Sequence, residues 1–428
     1  MTTTLQDCRA LDAQDALAPL RDHFSLPPGV IYLDGNSLGA LPRSVPARIA
    51  QVVAGQWGQG LIQSWNAAGW FELPRRVGDR IAPLIGARAG EVVAADTTSV
   101  NLYKALSAAL NIAAQDAPGR RVIVSERSNF PTDLYIAEAL CRERGCSLQL
   151  VDPHEIEASL TDEVAVLMLT HVNYRTGAMH DMAALGSAAH AAGALVIWDL
   201  CHSVGAVPVD LNGAGADFAV GCSYKYLNGG PGAPAFVWVH ARHVDRCWQP
   251  LAGWWGHAEP FAFTPGYQPA TGITRYQCGT QPIISLSALD AALDVFDAAE
   301  ALGGMAALRA KSLALTGLFV ELVEQFCPGQ FTLVTPREPA RRGSQVCLTP
   351  AGPLPAGSGY AICQALIARG VIGDFRAGDT RQPDILRLGF TPLYLSHADV
   401  FNAAAQLREV IRSQEYAEPR FNQRQAVT

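Results

Sequence analysis

The segment Val164-Ala165-Val166-Leu167-Met168-Leu169-Thr170 contains no polar side chain before its last residue. A strand that faces water on one side alternates apolar and polar residues, whereas a strand covered on both faces is apolar throughout. The segment therefore predicts a buried strand in a parallel sheet that helices cover on both faces.

Similar short apolar runs lie on either side of this segment and alternate with segments of helical spacing. Further strands are predicted at Glu91–Ala95, Arg121–Ser125, Leu148–Val151, Leu195–Leu200, Asp217–Cys222 and Ala235–Val239. Helices are predicted between them at Val100–Ala114, Pro131–Cys141 and Met182–Ala192. This alternation is typical of an α/β, doubly wound domain with a mostly parallel sheet, which we place at residues 58–290.

Residues 1–57 are predicted to form an N-terminal segment that packs with a smaller domain. The segment has helical spacing at Leu11–Phe24 and Val45–Trp57, with a short strand at Val30–Leu33 between them. Residues 291–428 are predicted to form that smaller α+β domain. Its strands are expected near Phe331–Val334, Ser344–Leu348 and Ile385–Gly389, and its helices at Tyr360–Arg369 and His397–Arg412.

The composition narrows the class of protein. A hydrophobic fraction of 49% with 17% charged residues is typical of a globular chain, and the net charge of −7 argues against nucleic acid or an anionic membrane as a partner. The ten cysteines include no C-x-x-C pair, which favours reduced thiols over a disulfide framework or a metal site. The first twenty residues carry three aspartates and no apolar core, so no signal peptide is expected. We expect a cytoplasmic protein without a metal.

Lysine is rare in this sequence, which contains only Lys104, Lys225 and Lys311. Lys225 lies in Ser223-Tyr-Lys-Tyr-Leu-Asn-Gly-Gly-Pro-Gly232, at the end of a predicted buried strand. Burying an ammonium group is costly, and a Schiff base with an aldehyde would remove its permanent charge. A plain alternative is a lysine that reaches solvent before a Gly-Pro turn.

Asp199 closes the preceding predicted strand, in Ile197-Trp-Asp-Leu-Cys-His202. Ligands of open α/β sheets bind at the carboxyl ends of the strands. A pyridoxal ring needs an acidic partner that keeps its ring nitrogen protonated, and Asp199 could serve, with His202 near the ring or orienting Asp199. An aspartate at a strand end is more often a cap or turn residue. Its position one strand before Lys225 favours the functional interpretation.

Two further strand ends carry candidate ligand groups. In Asp96–Leu102, Thr98 and Ser99 could hold a phosphate at a helix N-terminus, although threonine and serine are also ordinary helix caps. In Ser128–Asp133, Phe130 could stack on a planar ring or simply pack ahead of a helix that begins at Pro131.

One rival motif is Gly35-Asn-Ser-Leu-Gly39, which matches the G-x-S-x-G turn of serine hydrolases with Ser37 as nucleophile. That turn should join a central strand to a helix, but here it precedes the alternating region and Pro42 and Pro46 follow closely. The context therefore argues against a serine hydrolase.

Together these residues resemble the kynureninase family, a member of the aspartate-aminotransferase-like, fold-type-I pyridoxal-phosphate enzymes. The resemblance covers nearly the whole chain. Its signature segments are Tyr32–Gly39, Asp96–Leu102, Phe130–Asp133, Asp199 with His202, Ser223–Gly232, Gly253–His257, Gly279–Pro282 and Arg387–Tyr394. The Asp34–Gly39 and Ser223–Gly232 strings are the most specific to the family.

The resemblance implies a role for each site residue. Lys225 would bind pyridoxal 5'-phosphate covalently, and Asp199 would pair with the ring nitrogen beside His202. The other cofactor-binding residues would be Thr98, Ser99 and Tyr224 at the phosphate, Phe130, Asp133 and Thr170 around the ring, and Trp254 and Thr280 from the second subunit of a homodimer. The substrate-binding residues would be Arg387, which would clamp the α-carboxylate, together with Ser37 and Trp65. Tyr276 is the predicted proton donor.

The resemblance also implies the reaction, which is hydrolysis of L-kynurenine to anthranilate and L-alanine in tryptophan catabolism. The choice between kynurenine and 3-hydroxykynurenine stays open. An aminotransferase, a cysteine desulfurase or an inactive binding protein of the same fold are the alternatives. A desulfurase needs a cysteine on a flexible loop, and Cys327 and Cys347 lie in predicted regular structure, which argues against it.

Overall fold

The computed structural model describes residues 3–424, which form thirteen strands and thirteen α-helices. The strands are β1 Ile31–Tyr32, β2 Val92–Ala94, β3 Val122–Glu126, β4 Ser147–Val151, β5 Val164–Thr170, β6 Leu195–Asp199, β7 Phe218–Gly221, β8 Phe236–Val239, β9 Phe331–Leu333, β10 Gln345–Pro350, β11 Val371–Ile372, β12 Asp374–Arg376 and β13 Ile385–Gly389. The helices are α1 Leu5–Asp12, α2 Ser44–Ala50, α3 Ser64–Ala67, α4 Leu73–Ile81, α5 Thr98–Asp116, α6 Pro131–Arg144, α7 Met182–Ala191, α8 Ala241–Val244, α9 Ile283–Ala292, α10 Asp294–Glu300, α11 Gly304–Phe326, α12 Gly359–Ala368 and α13 His397–Ser413.

The large sheet has seven strands in the order β2-β8-β7-β6-β5-β3-β4. Only β8 runs against the others, because it pairs antiparallel with both β2 and β7. Side chains along each strand alternate between two hydrophobic cores, as the pleat requires. In β5, Leu167 and Leu169 enter one core, whereas Val166 and Met168 enter the other. The predicted doubly wound, mostly parallel sheet is confirmed.

A four-stranded antiparallel sheet follows, in the order β12-β13-β10-β9. Strands β9, β10 and β13 were predicted from the sequence. Strand β12 was not, because its Asp-Phe-Arg sequence has no apolar run. Nor was the two-residue strand β11, which pairs in parallel with β1. One hydrophobic core extends from the large sheet to this smaller sheet.

The N-terminal segment touches both sheets. Asp12 at the end of α1 accepts hydrogen bonds from the backbone N–H of His397 at 2.7 Å and of Ala398 at 3.0 Å, at the start of α13. The Gly39 N–H donates to the carbonyl of Tyr224 at 2.8 Å. A side chain at Gly39 would have its Cβ only 2.3 Å from the Lys225 carbonyl oxygen, so only glycine permits this approach. The division at residues 57 and 290 stays a prediction.

Two predicted helices are interrupted. The helix expected at Leu11–Phe24 is instead α1 followed by a 3₁₀-helix at Ala18–His23, where Pro19 cannot continue an α-helical hydrogen-bond ladder. The helical spacing of Leu286–Ala299 likewise predicts one helix, but the structure divides it into α9 and α10 at Leu293. Within residues 3–424, none of the helices combines the length and the apolar character needed to cross a membrane.

Candidate active site

A cavity opens at the carboxyl ends of β5 and β6 and at the loops that follow β2, β3 and β7. This is the edge at which open α/β sheets bind ligands. The cavity is lined by Thr97, Thr98, Ser99, Phe130, Thr132, Asp133, Thr170, Tyr174, Asp199, Cys201, His202, Tyr224 and Lys225. Nine of the predicted site residues are thus brought together from five segments of the chain.

The three lysines have different environments. The ammonium group of Lys104 is fully buried and pairs with Asp96 at 2.7 Å, and that of Lys311 pairs with Asp15 at 2.6 Å. Within residues 3–424, Lys225 makes no such ion pair, and its Nζ contacts His202 Nε2 at 3.0 Å. Lys225 is therefore the one lysine that offers its amine to the cavity.

His202 lies between Lys225 and the smaller sheet. Its Nδ1 is 3.0 Å from Gln345 Oε1, while its Nε2 faces Lys225. Burial lowers the pKa of His202 well below its usual value, and the nearby charges of Lys225 and Arg387 lower it further. The imidazole is consequently neutral at physiological pH.

Two carboxyl groups, Asp133 and Asp199, lie side by side at the cavity. Asp199 Oδ1 accepts a hydrogen bond from the Cys201 N–H at 2.7 Å. Burial raises the pKa of Asp133 well above its usual value, and the charge of Asp199 raises it further. Asp133 Oδ2 is buried without a hydrogen-bond partner. Such an unsatisfied atom indicates that the site is complete only with another polar group.

The N-terminus of α5 faces the same cavity. Thr97 caps this helix by accepting a hydrogen bond from the Val100 N–H at 3.3 Å. Thr98 and Ser99 occupy its first turn, where free N–H groups and the helix dipole favour an anion. The Thr98 hydroxyl lies 3.7 Å from the Cys201 thiol.

Phe130 lies at the mouth of the cavity and is 40% exposed. Its ring meets Tyr174 edge to face, with ring centroids 5.3 Å apart. The preceding residue, Asn129, is buried, accepts the Phe130 N–H at 2.6 Å and accepts the hydroxyl of Thr170. Asn129 thus fixes the loop that presents Phe130.

These residues fit pyridoxal phosphate. The amine of Lys225 can hold its aldehyde carbon, and Asp199 can pair with its ring nitrogen. The first turn of α5 can hold its phosphate. The unpartnered oxygen of Asp133 shows independently that the cavity lacks a polar group, which the cofactor would supply.

Arg387 lies on β13, just behind the cavity. Its Nη1 donates to the Tyr174 carbonyl at 2.9 Å, and its Nη2 donates to Ser37 Oγ at 2.8 Å and pairs with Asp374. Arg387 Nε is buried without a partner. The Ser37 hydroxyl is thus engaged by Arg387 and Asp374, with no histidine among its hydrogen-bond partners in the described part of the chain. This contact set argues against Ser37 as the nucleophile of a hydrolase.

Three predicted residues lie away from this cavity. Trp65 packs edge to face against Trp255 at 5.4 Å. Trp254 lies next to Trp255, and the centroids of the two rings are 5.3 Å apart. Thr280 is exposed on the surface. One subunit alone does not bring these side chains to Lys225.

The structure places Tyr276 away from the cavity of its own subunit. Its side chain is fully buried in the second hydrophobic core, beneath β2 and α5, and its hydroxyl has no hydrogen-bond partner. Burial raises the pKa of the phenol far above its usual value. Tyr276 does not line the cavity, and its role as the proton donor stays a prediction.

Several residues at or near the site were not predicted from the sequence. Thr132, Tyr174 and Cys201 line the cavity, and each follows a predicted strand, so the strand-end rule could have found them. Gln345 and Asp374 contact His202 and Arg387 from the smaller sheet, and no motif in the sequence indicated this.

Comparisons with known proteins agree with this geometry. A family model for the kynureninase C-terminal domain matches residues 308–407, and one for class-V aminotransferases matches residues 31–355. A kynureninase from Pseudomonas fluorescens is 57% identical over 430 residues, which cover 100% of both chains. A kynureninase from Burkholderia pseudomallei (strain K96243) is 57% identical over 429 residues, which cover 99% of this chain and 100% of the relative.

Solved structures of more distant proteins share the fold. A cysteine desulfurase from Thermococcus onnurineus NA1 superposes with a TM-score of 0.76 at 19% identity, covering 92% of this chain and 98% of that chain. The cysteine desulfurase CsdA from Escherichia coli gives a TM-score of 0.74 at 18% identity, covering 93% and 98%. At this identity the likeness shows the fold alone.

Proposed function

The chain belongs to the kynureninase family, and on that premise we propose that it hydrolyses the Cβ–Cγ bond of L-kynurenine to give anthranilate and L-alanine. Pyridoxal phosphate is the cofactor. The observation that carries the proposal is the position of Lys225. Its amine lies in a cavity with Asp199, His202 and the N-terminus of α5, whereas the other two lysines are neutralised by carboxylates.

The cofactor would be held from three sides. Lys225 would bind its aldehyde carbon, Asp199 its ring nitrogen, and Thr98, Ser99 and Tyr224 its phosphate. Phe130, Asp133 and Thr170 would surround the ring. When bound, pyridoxal phosphate supplies a conjugated ring that withdraws electrons from the substrate's α-carbon.

The chain's own groups then position the substrate and move its protons. Lys225 Nζ takes the proton from the α-carbon, because it is the only lysine amine that lines the cavity in the described part of the chain. Arg387 binds the α-carboxylate, and its unpartnered Nε supplies a donor that the structure leaves unused. Ser37 and Asp374 hold the guanidinium group in place.

The active site would be shared between two copies of the chain. Trp254 and Thr280 face away from the cavity of their own subunit and would reach the cofactor phosphate of the other. Apolar side chains near Trp254 support such an interface, since Phe261 is 65% exposed and Phe263 is 79% exposed. Large exposed apolar groups of this kind mark contact surfaces.

A subunit-mixing experiment tests the shared site. Lys225→Ala and Thr280→Ala are each expected to be impaired alone. Because random pairing gives hybrid dimers with one intact site, an equimolar refolded mixture should recover about one quarter of wild-type activity. Full activity in a monomer, measured by light scattering, would contradict the shared site.

The reaction itself is tested by supplying purified protein with pyridoxal phosphate and L-kynurenine. We expect anthranilate, followed by its fluorescence, and alanine in equal amounts. A keto acid product would indicate an aminotransferase instead. The same assay with 3-hydroxykynurenine gives the ratio of kcat/KM values, on which the sequence is silent. The cytoplasm remains the predicted location.

A further inference from the structure

Gln345, at the start of β10, connects the smaller sheet to His202 of the large one. Its Nε2 lies 3.2 Å from the Asn173 carbonyl and 3.0 Å from the Tyr174 carbonyl. A carbonyl oxygen can only accept, so the amide nitrogen must be the atom that faces the two carbonyls. The amide oxygen, Oε1, must therefore face His202.

The orientation of this amide decides the hydrogen position on His202. Oε1 carries no hydrogen and lies 3.0 Å from His202 Nδ1, so Nδ1 must be the donor. The ring is neutral because it is buried beside the cationic groups of Lys225, Arg387 and Arg376. A neutral imidazole with hydrogen on Nδ1 has a free lone pair on Nε2. That lone pair lies 3.0 Å from Lys225 Nζ.

We propose that Gln345 is a positioning residue that fixes the hydrogen of His202 on Nδ1 and so keeps an acceptor directed at the amine of Lys225. The inference rests on the proposed function, in which that amine binds the cofactor and takes a substrate proton. In the other tautomer, His202 would direct an N–H at the amine of Lys225. The amine could not donate a hydrogen bond to that N–H. The ammonium form of Lys225 would then lose this contact, and the neutral amine could keep it only by accepting the N–H with the lone pair that must take the substrate proton.

The same network reaches the substrate side. The Tyr174 carbonyl that accepts from Gln345 also accepts from Arg387 Nη1 at 2.9 Å. Gln345 and Arg387 lie on the paired strands β10 and β13, where Gln345 is opposite Gly389. A single carbonyl thus joins the residue that sets the tautomer to the proposed carboxylate clamp.

The test uses two substitutions at Gln345 and one control. Gln345→Met removes both the acceptor and the donors. Gln345→Glu keeps an acceptor for the Nδ1 hydrogen, and its negative charge favours that hydrogen further. The control is Ser344→Ala, which deletes the polar contacts of the adjacent buried residue, whose partners Ser312 and Phe390 lie away from His202.

The first readout is the ¹H–¹⁵N histidine spectrum of the full-length protein without cofactor. A His202→Asn variant identifies the His202 signals among those of the ten histidines. We expect hydrogen on Nδ1 in the wild type, in Gln345→Glu and in Ser344→Ala, and a shift of hydrogen toward Nε2 in Gln345→Met. Hydrogen on Nε2 in the wild type would overturn the proposal even if no variant folds.

The second readout is steady-state kinetics with L-kynurenine. Residues that orient a histidine through its other nitrogen are typically worth roughly 10–100-fold, so Gln345→Met should lower kcat by that factor with little change in KM. Gln345→Glu should recover most of the loss. An unchanged tautomer with unchanged kcat in Gln345→Met would refute the inference. A wild type that makes no anthranilate but shows the expected tautomers would refute only the proposed function.

Discussion

Two buried aspartates lie at opposite ends of neighbouring strands, and their surroundings differ. Asp217 precedes β7 at the amino edge of the large sheet. Its carboxylate accepts from His190 at 2.8 Å, from His243 at 2.7 Å and from the Val196 N–H at 2.8 Å, and it pairs with Arg242. Burial raises its pKa, but these hydrogen bonds outweigh burial and hold the pKa far below its usual value.

Asp199 ends β6 at the carboxyl edge. It has a second carboxyl group, Asp133, as its neighbour, and the nearest ammonium group, Lys225, is hydrogen-bonded to a histidine instead. Buried polar groups in a folded protein are normally satisfied. The comparison teaches that the carboxylate of Asp217 at the amino edge is satisfied by groups of the chain itself, whereas at the carboxyl edge Asp133 keeps a buried oxygen without a partner that a ligand could satisfy.

The largest effect that would break this comparison comes from Lys225→Ala. We expect loss of the visible absorbance of the bound cofactor and a fall in kcat of at least about 10³-fold, because both the attachment point and the base are removed. Absorbance spectra and the anthranilate assay measure this. The control is Lys311→Arg, which preserves the charge opposite Asp15 and should retain activity; full activity of Lys225→Ala would refute the assignment.

Asp199→Asn should have the next largest effect. Losing the charge opposite the cofactor's ring nitrogen should lower kcat/KM by roughly 100-fold or more. The cofactor-free variant should be at least as stable as the wild type, because the repulsion between Asp199 and Asp133 is relieved. Thermal unfolding of the cofactor-free proteins measures this, and a clear loss of stability would show that Asp199 is a structural charge.

Asp217→Asn is the matched substitution at the other edge, and we expect the opposite result. Breaking this buried ion-pair cluster should lower the free energy of unfolding by about 3 kcal/mol, with unchanged kcat below the melting temperature. The cluster also makes stability depend on pH. Because folding lowers the pKa of Asp217, the contribution of this carboxylate to stability is present above the usual aspartate pKa near 3.9. That contribution is lost as the pH falls below that value. Urea unfolding should therefore show a weaker acid dependence in the variant, and an equal dependence would contradict the assignment.

Asp34 sharpens the comparison with an effect on stability of the opposite sign. The pKa of Asp34 is raised to about 7, because burial and then the charge of Asp374 raise it more than Ser37, Arg387 and Arg376 lower it. Between the usual aspartate pKa and about 7 the folded state binds more protons than the unfolded one, so this carboxyl lowers stability as the pH rises. Asp34→Asn should gain at most about 4 kcal/mol relative to the wild type between pH 4 and pH 8, measured by urea unfolding. A gain independent of pH would show that Asp34 does not titrate there.

The large sheet could be predicted because its strands carry their own signal. Val164–Thr170 is continuously apolar, and every strand of the large sheet was found from such runs. The site residues that follow these strands, including Asp199 and Lys225, could be found by the same rule, since parallel strands bring their carboxyl ends to one edge.

The rest depended on contacts that no local pattern records. Tyr276 was assigned by resemblance, and only packing shows that its phenol is enclosed by the second core. Asp374 pairs with Arg387, which lies 13 positions further along the chain. Gln345 contacts His202 of the large sheet, from which it is separated by 143 positions. Strand β12 was missed because two of its three residues are charged and its pairing with β13 decides its conformation.

The contacts of the N-terminal segment bear on how the chain is made. Synthesis delivers this segment first, yet β1 pairs with β11 some 340 residues later, and Asp12 binds the N-terminus of α13 at a separation of 385 residues. Closing so long a loop is slow and entropically costly. On the ribosome, these contacts of the segment must therefore wait until β11 and the start of α13 have emerged.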